Sequence, residues 1–133
     1  MTAHRVLQPS DWPRPKGYSN GMVARGTLVF VAGQIGWNER AEFPRADMAG
    51  QVEQALRNTL AVLAEAGARP EHVVRQTWFV TSREEYSRSV KEIGIAWRAL
   101  MGKCFPTMAI VEVSGLMESA AKVEIETTAV IPD

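Results

Sequence analysis

The chain has a single cysteine, Cys104, in 133 residues. One thiol excludes an internal disulfide and fits a reducing compartment. Histidine is almost as scarce: His4 and His72 are the only two. Neither has His, Cys or Asp partners at ligand spacing, so no metal site is expected and both read as solvated loop residues. Charge of one sign is missing as well, because fifteen Lys and Arg cancel fifteen Asp and Glu. That balance, with no basic stripe, argues against a nucleic-acid partner or an anionic membrane surface. No stretch approaches the roughly 18 apolar residues of a membrane span. The opening MTAHRVLQPSDWPRPKG has no apolar run to serve as a signal peptide, and a cytoplasmic protein is the expectation. No G-x-S-x-G elbow, P-loop or dinucleotide glycine pattern occurs, and GQIG alone is not one.

What is present fits one domain over residues 1–133. Pro9, Pro13 and Pro15 make residues 1–16 an extended lead-in. A short strand is expected around Ser19–Ala24, with Arg25-Gly26 as a turn. TLVFVAGQIG (27–36) is a strong strand, with Val29 and Val31 facing one way and Leu28 and Phe30 the other. Residues 37–45 read as a loop. Over 46–67, Val52, Ala55, Leu56, Thr59, Leu60 and Leu63 recur at helical spacing, with Asp47 as N-cap and Gly67 at the αL cap. VVRQTWFVT (73–81) returns to strand. Ser82 followed by Glu85 marks a capping box that opens a second helix to about Leu100. Strands at 107–113 and 121–130 finish the chain. The order β-β-α-β-α-β-β implies an α+β domain with two helices packed on one face of a mixed sheet. The strands at 27–36, 73–81 and 107–113 are largely apolar on both faces, so the helix-free face is expected to meet another copy of the chain.

FPTMAIVEVSG (105–115) divides into Thr107, Ala109, Val111 and Val113 on one face and Met108, Ile110 and Glu112 on the other. It reads as a buried strand with one acid near its end. In AKVEIETT, Glu124 and Glu126 share a face with Lys122, opposite Val123 and Ile125. Glu126 fits the wet face of a strand. Glu124, nearer the centre, either shares that wet face or is a partly buried carboxylate suited to general acid–base work. Cys104 has no base nearby in sequence and reads as a small hydrophobe. Trp37, Trp78 and Trp97, with Tyr18, either line an apolar pocket or pack in a core or an interface.

The segments GYSNGMVARGTLVFVAGQIG, QVEQALRNTLAVLAEAG, VVRQTWFVT and FPTMAIVEV…KVEIETTAV resemble the Rid family (reactive intermediate deaminase, YjgF-like or L-PSP-like) from about Gly17 to Ile131. The resemblance implies a chorismate-mutase-like fold and a homotrimer with three clefts between subunits. It also implies cofactor-free hydrolysis of 2-imino and 2-enamino acids to 2-keto acids and ammonia. Carried over residue by residue, Tyr18 matches the family's N-terminal tyrosine. Gly33 and Gln34 match its G-Q dipeptide, and Glu124 matches its last-strand glutamate. The arginine of the family's P-x-R stretch, which holds the substrate carboxylate, falls on Met108 of Pro106-Thr107-Met108. The small polar residues that follow it are here Ala109 and Ile110, and a helix-borne asparagine falls near Val90 or Lys91. Methionine cannot bind a carboxylate, so a replacement charge would have to come from Arg75, Lys91 or Arg98. Two functions stand side by side: an imine or enamine hydrolase with Glu124 as its catalytic residue, and a non-catalytic metabolite-binding trimer. A ribonuclease-like role, suggested by names given to some relatives, fits the neutral charge least.

Overall fold

The computed structural model describes residues 1–133. Helix α1 (Met48–Glu65) begins where Asp47, extended at φ −82°, accepts a hydrogen bond from the Gly50 N–H at 3.0 Å. It ends where Gly67 takes φ +74°. The Gly67 N–H donates to Ala64 O and the Ala68 N–H to Leu63 O, closing the last carbonyls. Val52, Ala55, Leu56, Thr59 and Leu63 are buried as their spacing predicts, and Leu60 is half-buried. Each of the larger aliphatic side chains contributes about 1.5–3 kcal/mol by leaving water. The Thr59 hydroxyl is satisfied by Ala55 O at 2.8 Å.

Strands β1 (Arg5–Leu7) and β2 (Gly21–Val23) form a small antiparallel sheet of their own. The extended lead-in therefore holds a strand that its prolines hide, and β2 pairs backwards with it instead of forward across Arg25-Gly26. Strands β3 (Gly26–Ile35), β4 (Val73–Val80), β5 (Thr107–Glu112) and β6 (Val123–Pro132) make the main sheet in the order β3-β6-β4-β5. The β4/β5 pair is parallel and the others antiparallel, so the sheet is mixed. Gly26, at φ +145°, opens β3 because any side chain there would collide with the backbone of Ile131.

The second helix is broken. Helix α2 (Arg83–Arg88) and helix α3 (Val90–Met101) meet at Ser89, whose hydroxyl donates back to Glu85 O at 2.8 Å. Ser82 caps α2 by accepting the Glu85 N–H at 3.0 Å. The Glu85 carboxylate does not complete the box; it takes the Lys122 ammonium at 2.6 Å, tying α2 to the start of β6. The helices cover one face of the sheet, over a core that includes Val31, Trp78, Val80, Val123, Ile125 and Ala129.

Two expectations change. Strand β5 is a half-buried edge strand, not a buried one, and leaves Ile110 and Val111 exposed. Its acid, Glu112, accepts the N–H of Arg83 at 2.7 Å, satisfying a free amide in the first turn of α2. His72 is buried, not solvated: its Nδ1 accepts the Arg69 N–H at 2.9 Å across a 3₁₀ turn at Pro70–His72. The ring of His4 hydrogen-bonds His72 O at 3.0 Å. No helix is long and apolar enough to cross a membrane.

Candidate functional site

Just after the lead-in, Ser19 meets the start of β5. The Ser19 N–H donates to Pro106 O at 3.0 Å and its hydroxyl to Phe105 O at 2.6 Å. The Thr107 hydroxyl, next in line, donates to Val74 O at 2.6 Å. These bonds lay Lys16, Gly17 and Tyr18 beside the first residues of β5. On α3, Val90, Ile93, Gly94, Trp97 and Arg98 fall at i, i+3, i+4, i+7 and i+8, so they share one stripe. That stripe leans over the same end of β5.

Between the two lies an open cavity of about 510 Å³. Tyr18, Phe105, Met108 and Ile110 form one side, and Tyr86 and Trp97 form the other. Trp78 is its floor. The Trp78 indole N–H donates to Gln76 Oε1 at 2.9 Å, and Gln76 donates in turn to the Thr127 hydroxyl at 3.2 Å. Trp97 is fixed from the far side, where its N–H donates to Cys104 O at 3.1 Å. The rings of Trp78 and Trp97 are 6.1 Å apart, and Tyr86 meets Trp78 edge-on at 6.5 Å. Burial pushes the Tyr86 phenol above its ordinary pKa.

The lining contains no acidic side chain. Its charged members are Lys16 and Arg98, both exposed at the rim and neither engaged in a salt bridge. The cavity is therefore an aromatic box with a positive mouth.

The sheet divides the other candidates from this box. Met108 and Gln76 are register partners, as are Gln76 and Thr127, so Met108 faces the helices. Glu124 pairs with Phe79, and Phe79 with Val111, one residue out of that phase. Glu124 is thus on the helix-free face and two strands away from β5. Gly33 lies in the one-residue bulge of β3 between Val31 and Gln34. A side chain at Gly33 would overlap the Glu124 carboxylate, while one at Gly36 would run into Gln51 of α1. Glycine at 33 is what lets Glu124 lie along β3. The Gln34 side chain is turned back onto Ala32 O at 3.1 Å.

Tyr18, Met108 and Ile110 are brought together, then, and so are Gly33 and Glu124, but the two sets occupy opposite faces of one chain, while Gln34 pairs with Ile125 and is out of phase with Glu124. Of the cations considered as replacements, Arg98 reaches the box. Arg75 faces the other way, beside Thr77 and Glu126. Trp78 and Trp97 line the cavity, whereas Trp37 packs on Phe43 at 6.1 Å. Lys16, Tyr86, Gly94 and Phe105 were not singled out from sequence. The helical stripe through Val90 and Trp97 is the signal that points to Gly94; nothing local points to Lys16.

A mixed sheet backed by helices, with an aromatic cavity at its parallel edge, defines a small-molecule-handling α+β domain. The endoribonuclease L-PSP family model matches residues 12–131, and the chain belongs to this Rid/YjgF-like family. It is 29% identical to a 2-iminobutanoate/2-iminopropanoate deaminase of Dermatophagoides farinae, over 98% of this chain and 99% of that protein. A Rid-family protein of unknown function from Yersinia pestis, YyfB, superposes with a TM-score of 0.84 at 28% identity, over 96% and 98% of the two chains. Escherichia coli TdcF, solved with bound serine, superposes at 0.70 with 26% identity, over 96% and 98%.

Proposed function

We propose that three copies of this chain associate through their helix-free faces and hydrolyse small imine- or enamine-type metabolites in the clefts between them. In each cleft the Tyr18–Met108–Ile110 wall of one copy faces the Gly33-Gln34 backbone and Glu124 of the next. The observation that carries this reading is the separation of the two half-sites across one sheet. Glu124 shares its face with Leu28 and Phe30, which are 57% and 72% exposed on β3. Apolar side chains so exposed on a sheet face mark an association surface. The kinship with a 2-iminobutanoate/2-iminopropanoate deaminase supports the reaction class.

The chemistry follows from the groups present. The Glu124 carboxylate accepts a proton from a water as the water's oxygen bonds to the imine carbon, and the imine nitrogen is protonated. The tetrahedral adduct then loses ammonia as its hydroxyl becomes the new carbonyl, so one imine and one water give one ketone and one ammonia. Tyr18 orients the bound molecule. No metal or organic cofactor is required by this scheme.

The test is ammonia release from 2-imino acids generated in situ, with wild type and Glu124→Gln side by side. Turnover above the uncatalysed rate that falls in the variant supports the reading. An uncatalysed rate in wild type overturns the hydrolase, and full activity in Glu124→Gln overturns the role of Glu124. Thermal stabilisation by a metabolite without its consumption would then identify a binding protein on the same scaffold. Salt-dependent RNA binding would revive the ribonuclease-like role.

A further inference from the structure

We propose that the box between α3 and β5 takes a carboxylate-bearing small molecule with a bulky aromatic side chain, and that Arg98 is the group that binds the carboxylate. The inference rests on the reading of the cleft as a small-metabolite site, but not on turnover.

Size and lining argue for the side chain. Before a second copy closes it, the void is about 510 Å³, within the range of roughly 300–1,000 Å³ usual for small-molecule pockets. Nine of its thirteen lining residues are apolar or aromatic. Tyr18, Phe105 and Ile110, each at least about a third exposed, offer a flat ring its contact surface, and Trp78 and Trp97 stand behind them, buried and fixed by their indole hydrogen bonds. Met108 completes this wall. A thioether in that position makes favourable contact with an aromatic ring, where a guanidinium would demand an anion deep inside the box.

Charge argues for the carboxylate. The chain as a whole is neutral, yet this cavity has two cations and no acid. Side chains on a helix lean toward its N-terminus, which carries the Arg98 guanidinium back over residue 94. That residue is glycine, and its Cβ position is 3.8 Å from Arg98 Nη1. The missing side chain leaves the planar fork flat against α3 and free to meet a carboxylate with two N–H groups. Lys16, on the opposite rim, adds a second positive charge. The charge absent at position 108 is thereby supplied ten residues earlier, at the mouth and not at the floor. A molecule spanning the cavity places its acid at the rim and its ring among Tyr18, Phe105, Met108 and Ile110.

The experiment is calorimetric titration of the full-length protein with phenylpyruvate, pyruvate and the uncharged ketone phenylacetone. The expected order is phenylpyruvate tightest, at least tenfold ahead of each of the others. Arg98→Ala should weaken phenylpyruvate about tenfold while leaving phenylacetone unchanged, and Arg98→Lys should recover part of the loss. Equal affinity for phenylpyruvate and pyruvate overturns the aromatic subsite. Unchanged phenylpyruvate affinity in Arg98→Ala overturns the role of Arg98. No binding of any probe overturns the inference as a whole, even if short imino acids are hydrolysed. Conversely, binding in the expected order with no ammonia released from any imino acid upholds it while the hydrolase falls.

Discussion

The two faces of the main sheet are built by the same strands and end up with opposite tasks. The helix-covered face is finished within one chain: Trp78, Val80, Val123 and Ile125 are almost wholly buried beneath α1 and α3. Its polar groups, such as Gln76 and Thr127, answer one another. The other face is unfinished. Leu28 and Phe30 stand in water on β3, while Arg75, Thr77, Glu126 and Thr128 surround an open concavity at the centre. Of the two half-sites, the aromatic one hangs on the finished face and the acidic one on the unfinished face. On the proposed reading a reaction needing both requires a second copy, which would couple catalysis to assembly.

The largest break in this contrast is removal of the acid from the unfinished face. Glu124→Gln should lower ammonia release by about 10²–10⁴-fold, the range usual for a general acid–base group, with ligand affinity retained. Parallel calorimetry and ammonia assays check this, and equal loss of binding would mean that Glu124 holds the ligand instead of acting on water. Next is Phe30→Asp, which places a charge on the exposed apolar surface. Sedimentation should show single chains, with far-UV circular dichroism unchanged because Phe30 supports nothing in the core.

Two smaller changes act on the finished face. Gln51 of α1 donates to Arg45 O at 3.3 Å and Ala120 O at 3.0 Å, and accepts the Lys122 N–H at 2.7 Å. Gln51→Ala strands these groups and should cost about 1–3 kcal/mol in denaturant unfolding. Because Lys122 leads into β6, it should also loosen Glu124. Asp47→Ala should cost about 1 kcal/mol at neutral pH through the lost helix cap. Burial by itself would raise the Asp47 carboxyl, but hydrogen bonds from Arg45 and the Gly50 N–H outweigh it and hold the pKa below its ordinary value. A depressed carboxylate stabilises the fold above its unfolded pKa, and this contribution fades as pH falls through the folded value. The gap between wild type and Asp47→Ala should therefore close below about pH 4.

The finished face was the more legible in sequence, for a physical reason. Helix α1 declared itself through local signals: a 3.6-residue apolar period, an aspartate at one end and a glycine at the other. The strands showed equally well, and the exposed Phe30 was expected from a strand apolar on both sides. Pairings that depend on distant partners were hidden. Nothing near Arg5 announces that Gly21–Val23 will pair with it, and the break at Ser89 hinges on one hydroxyl turning back to Glu85. The phase of β5 against β6, which separates Met108 from Glu124, is likewise set by register, not by composition. The family motif brought Tyr18, Gly33, Met108 and Glu124 into one list, and the fold distributes that list between two surfaces. Arg98 was one of three candidate cations until the turn at Gly102 carried β5 back along α3.

Cross-linking tests the shared cleft most directly and needs no substrate. In a Cys104→Ser background, a chain with both Met108→Cys and Glu124→Cys is treated with a short bismaleimide and separated under denaturing conditions. The two positions lie on opposite faces of one chain, so a link between them within a chain is barred by the sheet. A shared cleft predicts covalent dimers and trimers, absent when either cysteine is present alone. Single chains throughout, in a protein shown by sedimentation to be associated, would contradict it.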